Sequence, residues 1–132
     1  MKTSKVRLFV GLGIVFWFTA AMMIRYAGAT VFSDVNPLLF LFFILAIPVT
    51  VGFMYFTTLI ANVRFSELLH PVVIMTLTAT FLDGIALTLF RQLYSQSAEV
   101  ALHGAAWILW GVGLGLLFAY YLAEQNTRQA NT

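Results

Sequence analysis

Four uninterrupted apolar stretches, at 6–27, 38–61, 72–90 and 100–122, fill most of this chain and leave only short polar connections. Each is long enough to cross a hydrocarbon core, which takes about 20 helical residues. Inside lipid every backbone N–H and C=O must be satisfied within the protein, so each stretch is expected to form a helix. Connections this short join antiparallel neighbours, which predicts an all-α integral membrane four-helix bundle of up-down topology. The four spans make one transmembrane domain, with a polar C-terminal tail at 123–132 that is expected to fray.

Composition leaves no room for a soluble alternative. Of 132 residues, 61% are hydrophobic and 9% charged, whereas soluble domains carry about a quarter charged residues. The net charge of +2 comes from basic residues clustered at span ends, a topology signal that argues against a nucleic-acid partner. The chain has no cysteine, which excludes disulfides, thiol redox relays and thiolate metal sites. Span 1 continues through Phe16-Trp17-Phe18 to Met22-Met23-Ile24 without a small-residue cleavage site, so it reads as a retained anchor and not as a signal peptide.

Basic flanks tend to stay in the cytoplasm. Lys2, Lys5, Arg7, Arg64 and Arg128 fall on one side, against Arg25 and Arg91 on the other, which predicts cytoplasmic N- and C-termini. Arg25 with Asp34, and Arg91 with Glu99, fall at similar positions in the two helix pairs, a faint sign of a duplicated hairpin.

The residue with most chemical content is Asp83, the single acid within the spans. It lies about 12 Å along span 3 from Arg91. An acid at such depth costs roughly 2.5 to 3.5 kcal/mol on insertion scales, so it is expected to face protein or water and to have a partner. Thr76, Ala79, Thr80, Asp83 and Ala86 or Leu87 share one small, polar stripe of span 3. Arg25 and Arg91 stand at the outer ends of two outward-running helices whose side chains lean back toward their N-termini. His103 and Trp107 descend span 4 to a similar level. The expected site is therefore a polar cluster or ligand site of Asp83, Arg25, Arg91, His103 and Trp107, with the acid neutral or arginine-paired. Intramembrane acids also serve as glue between helices, so a purely structural cluster is the competing reading.

On span 4, Gly111, Gly115 and Ala119 fall four apart, a spacing that permits close helix packing, inside the bundle in preference to a dimer interface. Pro48 near the middle of span 2 is expected to kink that helix. Trp17, Tyr26, Tyr55, Tyr94, Tyr120 and Tyr121 read as interfacial or packing aromatics. His70 and His103 belong to opposite ends of the bundle and cannot share one haem or metal, so no cofactor is expected.

The Asn36-Pro37-Leu38 start of span 2, Ile47-Pro48, Phe81-Leu82-Asp83-Gly84 and Trp107-Ile108-Leu109-Trp110-Gly111 together resemble a family of short bacterial four-span membrane proteins known as a domain of unknown function. The resemblance implies a multi-pass protein of the bacterial cytoplasmic (inner) membrane, with Asp83 and the tryptophan pair in the family pattern, and it implies no activity. Small multidrug resistance transporters are similar in length and span number, but their coupling acid is a Glu in the first span, and span 1 here has no acid. Two functions remain in contention. One is a small-solute or proton-linked transporter, or a subunit of one, using Asp83 in an oligomer. The other is a non-catalytic accessory or assembly subunit of a membrane complex. An enzyme is not expected, because no nucleophile set, metal cluster or phosphate loop is present.

Overall fold

The computed structural model describes residues 3–31 and 37–131. Asp34, one member of the suggested repeat, lies outside them, as do Asn36 and Lys2. Four helices follow in order: α1 (Thr3–Val31), α2 (Leu38–Ala61), α3 (Leu69–Leu89) and α4 (Ala98–Ala130). Short 3-10 turns at Phe65–Glu67 and Arg91–Leu93 lie in the connections that precede α3 and α4. All four helices are long and apolar enough to cross a membrane, and this is a multi-pass all-α bundle. Phe40, Ile44, Phe81, Leu102 and Leu109 are exposed on its outside, where lipid, unlike water, solvates them without penalty.

Local chemistry sets the helix ends. Asn62 closes α2 in the left-handed conformation, at φ 55°, a geometry asparagine tolerates better than most residues. Ser97 caps α4 by accepting from the Val100 N–H, and Glu99 adds negative charge to the first turn. At its other end α4 does not fray where the polar tail begins. It runs on to Ala130, because Ala123, Glu124, Gln125 and Gln129 are sound helix formers and Gln125 Nε2 donates to the Tyr121 hydroxyl one turn back, at 3.0 Å.

The order in which helices neighbour one another departs from the simplest up-down ring. The most extensive interface joins α1 to α3, two helices that run in the same direction; α2 packs on α4, α4 on α3 and α1 on α2, whereas the backbones of the consecutive helices α2 and α3 stay apart and meet through side chains such as Thr57, which donates to Met75 Sδ at 3.8 Å. The connection between them therefore crosses the diagonal of the bundle, with its 3-10 turn lying against α4 and Leu68 fully buried. Glycine explains the preference. A Cβ on Gly13 would sit 2.8 Å from the Met75 carbonyl oxygen and 3.0 Å from Thr78 Cβ, so α1 and α3 approach backbone to backbone at a point only glycine allows. Gly104 of α4 makes room for a side chain instead: a Cβ there would sit 2.8 Å from Ile24 Cγ2 of α1.

These are not the glycines that spacing singled out. Gly111 has nothing within 4 Å of a Cβ position, and Gly115 would meet Thr50 at an ordinary 3.7 Å. Gly115 and Ala119 are buried, so that face of α4 packs inward, but no close approach depends on it. Four-residue spacing reports which residues share a face and not how near the facing backbone comes.

The core divides into two clusters. One, toward the face that carries both termini (the terminal face), gathers Phe9, Leu12, Met54, Leu68, Val72, Met75 and Ala119. The other, toward the opposite (distal) face, gathers Ala21, Ile24, Ala46, Ala86, Tyr94, Val100 and Trp107.

Candidate functional site

Between the two clusters the helices leave a cavity of about 150 Å³. Every helix contributes to its wall: Phe16 and Trp17 from α1, Thr50 and Phe53 from α2, Thr76 and Asp83 from α3, Trp107 and Gly111 from α4. The lining is overwhelmingly apolar, and Asp83 is its one ionisable side chain. Thr76 spends its hydroxyl on the Val72 carbonyl of its own helix, at 2.8 Å, so Asp83 and the Thr50 hydroxyl are the polar groups left to the wall.

Asp83 is buried, 7% exposed. Two turns inside its span, it faces the bundle interior and the cavity. Its partners are not the expected ones. The Tyr94 hydroxyl donates to Asp83 Oδ1 at 2.5 Å and itself accepts from the Trp17 indole N–H at 2.9 Å. Tyr94 is fully buried, folded back from the third connection into the bundle. Burial first, and then the hydrogen bond to Asp83, hold its phenol well above the usual tyrosine range, so Tyr94 remains a proton donor to Asp83 at every physiological pH.

Arg25 does not pair with Asp83. It is exposed, and its guanidinium donates to the carbonyls of Gln92 and Leu93 at 3.1 and 3.3 Å. These carbonyls end a 3-10 turn with no helix to continue it, and an arginine nearby satisfies them at less cost than one drawn down into the apolar interior. Arg91 is likewise exposed at the distal face. An ion pair of Arg64 with Glu67, at 4.0 Å, is exposed on the terminal face. His103 is half-buried in the second turn of α4, far from His70 in the first turn of α3. Thr80, placed by periodicity on the Asp83 stripe, is exposed, whereas Thr76, Ala79 and Asp83 do line the cavity.

Trp107 does meet Asp83 at the cavity, but its indole donates elsewhere, to the Phe42 carbonyl at 3.1 Å. Trp110 donates to the Phe43 carbonyl at 3.0 Å. Each carbonyl has a second lone pair beyond its helical bond, and in lipid an indole N–H must find such an acceptor. Both bonds fall within the turn and a half that precedes Pro48, through which α2 continues as one helix. Pro48 is exposed on the outer surface and is not among the residues that line the cavity.

The partners that sequence reading passed over, Trp17 and Tyr94, left one usable signal. Trp17 precedes Arg25 by the interval at which Asp83 precedes Arg91, which sets an indole on α1 at the depth of the acid on α3 once the two helices run parallel. Nothing in the sequence signals that Tyr94 turns inward.

Comparison with family models, curated proteins and solved structures finds no match for this chain.

Proposed function

We propose that this protein binds and carries a small apolar solute bearing a cationic or hydrogen-bond-donating group, with Asp83 as the group that receives it. The observation that carries this reading is the cavity itself: about 150 Å³ of apolar space, lined by all four helices, with one carboxyl group in its wall. Apolar cavities of about this volume accept molecules the size of benzene. A carboxylate can hold either a proton or the cationic group of a solute, so occupancy of Asp83 couples the solute to a proton. Tyr94, hydrogen-bonded to the same carboxyl, is the adjoining hydrogen-bond donor.

A second reading has its own support. The Trp17, Tyr94 and Asp83 chain ties α1, α3 and the third connection together, as it would in an accessory or assembly subunit of a membrane complex. A bacterial inner membrane, cytoplasmic termini, self-association and kinship with the four-span family of unknown function complete the proposal, on the basic-residue distribution and motifs above.

Titration of the protein in detergent with benzylamine, followed by tryptophan fluorescence, separates the two readings, because Trp17 and Trp107 line the cavity. Saturable binding that is lost in Gly111→Leu, and weakened in Asp83→Asn, supports the solute site. No saturable change in the wild-type protein, together with a stability loss in Asp83→Asn, supports the structural role.

A further inference from the structure

A second concavity, of about 930 Å³, opens at the distal face between α1, α3 and the third connection. Its composition changes with depth. Arg25, Arg91 and Gln96 stand at its rim, and Leu82, Ile85 and Leu89 form its wall. Among the described residues, no carboxylate lines it. From Arg91 down to Leu82 the wall extends about 13 Å along the helix, and Ile85 and Leu89 are 54% and 70% exposed. Arg25 lies one and a half turns before the end of α1, and Arg91 just past the end of α3, which puts both guanidinium groups at headgroup level while the wall faces the acyl region.

We propose that this groove binds an anionic phospholipid, with its phosphate between Arg25 and Arg91 and one acyl chain along Leu82, Ile85 and Leu89. Charge complementarity selects the headgroup: two cations meet with no acid among the described lining residues, at the membrane surface where each Lys or Arg strengthens attraction to anionic lipid. The apolar wall selects a lipid over free phosphate, because a small anion would leave it unused. The placement also accounts for the two arginines that lie apart from the basic residues of the terminal face. Arg25 needs one nitrogen for the loop carbonyls, Nη1, and a guanidinium has donors beyond it for a phosphate.

The test is native mass spectrometry of the detergent-solubilised protein equilibrated with equal amounts of phosphatidylglycerol and phosphatidylcholine of identical chains. Retained adducts are expected to be phosphatidylglycerol. Arg91→Gln, which leaves the Arg25 bonds to the loop intact, is expected to lower that retention about fivefold per arginine removed. Leu89→Asn is expected to lower retention of both lipids, while millimolar inorganic phosphate leaves the adduct in place. Equal retention of the two lipids by the wild-type protein, unchanged selectivity in Arg91→Gln, or displacement by inorganic phosphate would each overturn the proposal. Circular dichroism of each variant identifies misfolding; should Arg91→Gln misfold, Arg91→Lys, expected to retain the preference for phosphatidylglycerol, and Gln96→Glu, expected to weaken it, decide the question.

Discussion

The α1–α3 seam and the α2–α4 seam are built from the same apolar residue types and are joined in different ways. At the first, Gly13 lets the backbones touch, with the Met75 carbonyl 2.8 Å from where a Cβ would stand. At the second, buried Trp107 and exposed Trp110 donate their indole N–H groups to carbonyls of α2, with Phe42 packed 4.8 Å from Trp107, centroid to centroid. A glycine contact joins the first seam, and indole-to-carbonyl bonds join the second, beside which the cavity lies with Trp107 in its wall. Asp83 lies on a helix of the first seam and lines that cavity.

The largest test of that contrast is at Gly13. Gly13→Ala is expected to destabilise the protein by about 1 to 3 kcal/mol, as overpacking against backbone does, and Gly13→Leu is expected to abolish the folded bundle. Thermal unfolding in detergent, with Gly11→Ala as the control that meets nothing within 4 Å, measures it. Gly104→Ala is expected to cost less, because it meets the Ile24 side chain, which can shift where a carbonyl cannot.

Next in size is Tyr94→Phe, which removes the donor to Asp83 and the acceptor of Trp17 at once, and is expected to cost about 1 to 3 kcal/mol. Tyr94 also predicts a pH dependence. Its phenol ionises in the unfolded chain near pH 10 but stays protonated higher in the folded one, so the stabilisation is complete below pH 10 and declines as pH rises above it. Equilibrium denaturation between pH 8 and 11 is expected to show that decline in the wild-type protein, with a shallower slope in Tyr94→Phe.

Smaller again is Trp110→Phe, which keeps the ring and loses one indole bond. A side-chain hydrogen bond in a membrane protein contributes about 0.6 kcal/mol on average. Equal stability of Trp110→Phe and wild type would mean that ring packing alone joins the seam. The smallest effect is expected at Gly111→Ala. Its new methyl enters open space beside the cavity, so stability is expected to hold or rise by up to about 1 kcal/mol, the helix-propensity gain. A loss there would mean that the α2–α4 seam is as tight as the α1–α3 seam.

Asp83 was legible from the chain itself, because a carboxyl two turns inside an apolar span has nowhere to go but the interior. Its partners were not. Opposite charge made Arg25 and Arg91 the natural candidates, yet an arginine near a helix end can satisfy loop carbonyls at the membrane surface, and a neutral hydroxyl is far less costly to bury beside an acid than a guanidinium. Trp17 was hidden by the expectation that sequential helices are neighbours. Tyr94 was hidden because a loop aromatic reads the same whether it points to lipid or folds inward. The glycines of α4 illustrate a related blind spot: repetition marks a face, whereas a close approach can rest on one glycine such as Gly13, with no repeat to announce it.

What the sequence by itself determined is the number of spans, their helical state and the burial of the acid. These follow from transfer free energies that act on each segment independently of its neighbours. Which helices touch, which hydroxyl meets Asp83 and where space remains between them were decided only by tertiary structure. Apolar side chains and lipid chains attract one another almost equally, so packing order rests on where backbones can approach and on which donors need acceptors. Both depend on residues far apart in the chain.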